Sequence, residues 1–197
     1  MDERIAALTG KIKLLEGELE LELTRKLAEF RVSLKDGKVK FEQEVLERQR
    51  LLKTTALRYI FDAHPLSIIT APFIYALIVP FILLDIGVSV YQWICFPAYG
   101  IQKVRRGDYL IFDRARLAYL NIIEKVNCAY CSYGNGVLAY AREIAARTEQ
   151  YWCPIKHARR VLGAHAHYSD FLAFGDAASY RKELEELRRK LSDLPGP

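Results

Sequence analysis

The sequence predicts a mostly α, membrane-anchored protein, and three observations carry that prediction. An apolar run of about 36 residues with a single charge interrupts a chain otherwise rich in charge. Leucine and isoleucine recur at helical spacing on both sides of it, and strand-like alternation is confined to one short stretch near the N-terminus. The architecture expected is a helical protein with an apolar re-entrant or transmembrane hairpin, a short N-terminal β-hairpin and a cytoplasmic helical head stapled by a Cys3His metal site. Its regions are an arm over 1–64, a membrane hairpin over 65–102, the head over 103–176 and a charged C-terminal helix over 177–197.

In the arm, Ile5, Leu8, Ile12, Leu15 and Leu19 alternate three and four apart, the narrow seam of a coiled coil. The helix ends near Ala28, and with Gly10 and Gly17 inside it, it is expected to pack on a neighbour. Phe30, Val32 and Leu34 then alternate with polar residues, as do Val39 and Phe41 after Asp36-Gly37, so a β-hairpin is expected near 30–41. Helical spacing of Leu27, Phe30, Leu34 and Phe41 competes with it. From Gln43 a helix through Val45, Leu46, Leu52, Leu57 and Ile60 ends at His64-Pro65, because a residue before proline resists the helical region.

The apolar run, Leu66 to Ile101, has Asp85 as its one charge. As one straight helix it would be about 54 Å long, nearly twice a hydrocarbon core of about 30 Å. Pro72, Pro80, Gly87 and Pro97 supply breaks, which places a hairpin tip over Pro80 to Gly87. Arg48, Arg50, Lys53 and Arg58 precede the run, and Lys103, Arg105 and Arg106 follow it. Basic flanks on both sides favour one shared cytoplasmic side for both termini and contact with anionic headgroups. Non-helical backbone at the tip needs cover, which implies a homo-oligomer. Two other arrangements fit: a single tilted span followed by an interfacial Tyr91–Tyr99 segment with Trp93 at headgroup level, and a buried helical hairpin in a soluble core. Asp85 should face a partner, a cavity or the tip.

The net charge of +5 sits beside this run, so lipid headgroups account for it better than nucleic acid, for which no zinc-finger repeat or RNP motif speaks. No apolar h-region opens the chain, so no leader is expected. Beyond the run, a helix is expected from Asp108 to Asn127, a loop at Ser132–Gly136 and another helix over Val137–Gln150. Pro154 would open a short helix through Leu162, and Ser179–Leu194 a last one with Leu184, Leu187, Leu191 and Leu194 in a seam.

Cys128, Cys131, Cys153 and His157 form C-x2-C and C-x3-H about 21 residues apart. Each half can face one ion, and three thiolates with one imidazole make the closed tetrahedral set of structural zinc; iron is the alternative. A thioredoxin-like pair at Cys128 and Cys131 lacks its βαβ setting, and packed core cysteines are the plain alternative. His165 and His167 suit outer-shell partners of a metal or surface residues. Arg142, Glu143, Arg147 and Glu149 suit an acid/base or anion-binding set, or simple pairing along a helix.

The phrases Lys125-Val-Asn-Cys-Ala-Tyr-Cys131 and Ala146-Arg-Thr-Glu-Gln-Tyr-Trp-Cys-Pro-Ile-Lys-His-Ala158, after a long Pro-interrupted apolar stretch, resemble a widespread group of proteobacterial inner-membrane proteins. The resemblance implies a bacterial inner-membrane setting and brings no activity with it. The function expected is a non-enzymatic, oligomeric membrane scaffold or assembly factor. The alternatives are a membrane redox protein with iron at the Cys3His site, and a transporter or channel subunit built around Asp85.

Overall fold

A computed structural model of the chain describes residues 3–29, 32–35, 38–41 and 43–194. The chain is mostly helical and divides into two compact units, residues 1–63 with 113–128 and residues 64–112 with 129–197.

In the first unit, α1 (Glu3–Glu29) is a single long helix. It is followed by β1 (Val32–Lys35) and β2 (Lys38–Phe41), paired antiparallel with Val32 opposite Phe41 and Lys35 opposite Lys38. The expected Asp36-Gly37 turn and Phe30 lie outside the described residues. The single helix expected from Gln43 to His64 is two, α2 (Gln43–Leu51) and α3 (Ala56–Phe61). The later stretch of this unit returns to the first: the 3-10 turn Asp113–Arg116 lies against β2, and the Ala118 amide donates to Gln49 Oε1 at 3.2 Å. No helix spans 108–127. The next helix instead starts at Ile122, where Asn121 Oδ1 accepts from the Ile123 and Glu124 amides and Glu124 Oε2 accepts from the Asn121 amide at 2.8 Å. This reciprocal capping box fixes the start.

In the second unit the apolar run is helix from end to end, as α4 (Pro65–Ala76) and α5 (Ile78–Tyr99) meeting at Leu77. His64 caps α4 through Nδ1, which accepts from the Leu66 amide, and Pro65 takes the first helical position. The hairpin expected with its tip at Pro80–Gly87 is therefore not formed, since that stretch lies inside α5. The reason is positional. Pro80 stands in the first turn of α5, where its missing N–H has no intrahelical role, and the joint falls at Leu77, whose amide bonds Ile74 three residues back.

Gly100, left-handed at φ 67°, ends α5 and turns the chain back along it. The return segment delivers Val104 beside Gln92 and Arg106 beside Asp85. The chain then enters α6 (Ile122–Trp152), one continuous helix with no loop at Ser132–Gly136. Those glycines serve close packing: a Cβ on Gly134 would lie 2.8 Å from the Phe81 ring, and one on Gly136 would lie 2.7 Å from the Tyr109 carbonyl oxygen. Phe96, Val104, Leu110, Val137, Tyr140, Ile144 and Leu191 form the core between these elements.

After α6 the chain is irregular. Ile155 bridges Leu172, and the short helix expected from Pro154 is absent from this described stretch. Finally α7 (Ala177–Ser192) is capped by Asp176 and buries Leu187 and Leu191 in the core, so its leucine seam is used within the unit.

Candidate functional site

Two faces of α5 set what this protein can do. Its outer face, Ile82, Leu83, Ile86, Val90, Trp93 and Ile94, is exposed at helical spacing. Most of α4 is exposed as well, including Leu66, Ile69 and Phe73. The stretch Pro65–Tyr99 is long and apolar enough to cross a membrane by length and composition, and 6% of its most apolar window is buried.

The inner face carries Asp85, Ser89, Gln92 and Phe96, spaced four, three and four, and it is fastened by polar groups. Arg106 donates from Nε and Nη2 to Asp85 Oδ1 and Oδ2 at 3.0 and 2.7 Å, and the Tyr133 hydroxyl donates to Oδ2 at 3.0 Å. Only 7% of Asp85 is exposed, so the bidentate pair supplies the partner that a carboxylate on an apolar helix requires. Gln92 acts as a stand-in for a strand: its Oε1 accepts from the Val104 amide at 2.9 Å and its Nε2 faces the Val104 carbonyl at 3.4 Å and donates to the Tyr140 hydroxyl. The Tyr91 hydroxyl and Thr148 Oγ1 lie 3.1 Å apart.

At the C-terminal ends of α5 and α6, Tyr99, Tyr151 and Trp152 form an aromatic cluster with ring centroids 5.0–5.4 Å apart, and Arg188 lies over the Tyr151 ring. Of the flanking cations, Arg48 pairs with Glu44, Arg58 with Asp62 and Arg105 with Asp108, all on exposed surface. Arg50 and Lys53 are exposed, and Lys103 is half-buried. Arg106, expected at headgroups, is held by Asp85 instead.

The structure does not bring the four expected metal ligands together. Cys131 lies within α6 and Cys153 just past its end, 22 residues on, which is about 33 Å along the axis. Cys128 lies on the same helix, one turn before Cys131. Cys153 follows a helix C-terminus, not the N-terminus expected for it, and His157 stacks on Tyr168. Among the described residues no group of three or more His, Cys, Asp and Glu is placed to hold a metal ion.

Of the four polar residues expected to act together on α6, Glu143 and Arg147 pair, whereas Arg142 donates to the Gly163 carbonyl and Glu149 turns to His165. Glu143 Oε1 accepts from Arg147 Nε at 2.8 Å and faces His167 Nε2 at 3.0 Å, while Arg147 Nη1 donates to the Gln102 carbonyl at 2.7 Å. Glu149 Oε2 faces His165 Nε2 at 3.0 Å. Burial pushes the Glu143 carboxyl up, but hydrogen bonds and charge from His167 and Arg147 outweigh it and hold it at about 2. These contacts join α6 to the turn Ala166–Asp170 and to the return segment, which is a fastening role. Ser89, Gln92, Tyr133 and Tyr140 belong to no motif; for Ser89 and Gln92 the visible signal is their helical spacing from Asp85 along an apolar helix, and Tyr133 and Tyr140 on α6 have none. No family model, no curated protein and no solved structure matches the chain.

Proposed function

We propose that the chain is a monotopic protein of the bacterial inner membrane, seated in the cytoplasmic leaflet by α4 and the outer face of α5, where it serves as a non-enzymatic scaffold. The observation that carries this reading is the uncovered apolar surface of Pro65–Tyr99, which water would not tolerate over such a length.

Two features favour a seat over a full crossing. The Ala118–Gln49 hydrogen bond ties chain that follows the apolar helix to chain that precedes it. Arg105, Arg106 and Asp108 also lie on the segment that runs back along α5, and each charge carried to the bilayer centre would cost about 2.5–3.5 kcal/mol. Both termini then share the cytoplasmic side. Arg48, Arg50, Lys53, Arg58, Lys103 and Arg105 meet anionic headgroups, each contributing about 1 kcal/mol near the surface. The bacterial setting rests on the resemblance described above. The scaffold role is supported by the exposed leucines of α1, which offer an assembly surface. The bidentate hold on Asp85 favours a fastening role for that carboxylate over ion transfer.

The test is a tag at Met1 and another at Pro197, probed with protease in spheroplasts and in inverted vesicles. Both tags should resist in spheroplasts and be cut in inverted vesicles. Cleavage of one tag from outside would replace the seat with a single span, and recovery of the protein in the soluble fraction would remove the membrane altogether.

A further inference from the structure

We infer that α1 pairs with α1 of a second copy as a parallel two-stranded coiled coil, in register about Ile12. The inference deepens the scaffold reading and rests on it only for its setting at the membrane. Leu8, Ile12, Leu15 and Leu19 lie on one helix of 27 residues and remain 54–64% exposed, so nothing among the described residues covers the seam.

The sequence of the seam selects its occupant. With Ile5 and Ile12 at a and Leu8 and Leu15 at d, β-branched residues alternate with leucine in the order that favours two parallel strands. The same register puts Lys11 at g and Glu16 at the following e, the positions that meet across a parallel dimer. A second copy therefore gains two symmetric attractions, Lys11 to Glu16 in each direction. Gly10 and Gly17 both fall at f, the position farthest from the partner, where a missing side chain removes no contact; a Cβ on either would meet nothing within 4 Å. An antiparallel pair in the register that sets Lys11 against Glu18 also sets Arg4 against Arg25, a like-charge contact. The a/d pattern lapses after Leu19, where Glu22 takes d and Lys26 takes a, so the paired region covers the first part of α1.

The experiment uses the full chain. Dissociation of the detergent-solubilised protein is followed by light scattering over a concentration series for the parent, K11E, E16K and K11E/E16K. Each single swap turns two attractions into repulsions and should weaken the dimer about tenfold, and the double swap should restore it. In membranes, Ile12→Cys in a background with the four native cysteines changed to Ser should form a covalent dimer on mild oxidation, whereas Leu14→Cys, at c, should not. A monomeric parent, a double swap no tighter than the singles, or equal cross-linking at 12 and 14 would overturn the pairing. Flotation with vesicles, read in parallel, separates the two ideas. A monomer that floats fails the pairing alone, and a dimer that does not float fails the membrane seat alone.

Discussion

Two glycines show how one residue type does opposite work in the same unit. Gly136 lies where α6 meets the return segment, and an added Cβ would come within 2.7 Å of the Tyr109 backbone oxygen and 3.2 Å of Leu110. Backbone cannot swing aside as a side chain can, so Gly136→Ala should lower stability by about 1–3 kcal/mol despite the better helix propensity of alanine. Gly87, inside α5, has nothing within 4 Å of its Cβ position. Gly87→Ala should therefore raise stability by about 0.5–1 kcal/mol, the ordinary gain in a helix interior. Thermal unfolding of both variants in detergent checks the pair, and a shift of the same sign in both would break the argument. The glycines of α6 read as loop by composition because their reason for being there, the Phe81 ring and the Tyr109 carbonyl, lies some 27 to 53 residues away in sequence, beyond the reach of any local pattern.

At the scale of elements, the helices with a one-sided apolar stripe were the legible ones. The arm over α1 and the C-terminal helix followed from apolar spacing, a local signal, whereas His64-Pro65, expected as the end of one helix, is where α4 begins. The apolar run was legible in extent and misread in path. Four breakers suggested a hairpin, yet Pro80 occupies a first turn and the others are absorbed within helix, so the run stays one rod with a joint. The cysteine pattern failed for a related reason: C-x2-C and C-x3-H converge only if the chain between them doubles back, and α6 instead runs unbroken from Ile122 to Trp152. Cys153→Ser should accordingly leave both metal content and melting temperature unchanged in the purified protein, and loss of a bound ion in that variant would show that α6 bends. The outer face of α5 makes a separate prediction. Leu83→Asp places a charge among Ile82, Ile86 and Val90 and should shift partitioning from vesicles to water by about 2.5 kcal/mol, roughly 70-fold. Vesicle flotation measures it, and an unchanged bound fraction would mean that this face does not meet lipid.

The whole molecule depends on fastenings between stretches that the sequence holds far apart. The first unit is completed by residues 113–128, and the second unit is closed by side chains of α6 that reach both the return segment and the Ala166–Asp170 turn. None of this was visible as a pattern, although Glu143 and Arg147 were singled out by type, because a one-dimensional spacing cannot tell a pair along a helix from a clamp between segments. The acid limb of stability distinguishes the two. The Glu143 carboxyl is held at about 2 when folded against an ordinary value of 4.5, so the folded state binds its proton less tightly than the unfolded chain does. Its contribution is thus full above about pH 4.5, declines as pH falls from there, and is gone below about 2. Discounted for partial solvent access, that contribution is on the order of 2 kcal/mol. Glu143→Gln should therefore destabilise the protein at pH 7 and flatten its loss of stability between pH 5 and 2, the two curves converging at the acid end. A simple pair along α6 would contribute only about 0.3–0.5 kcal/mol, so parent and variant melting curves that fall in parallel over that range would reduce Glu143 to a surface charge on one helix.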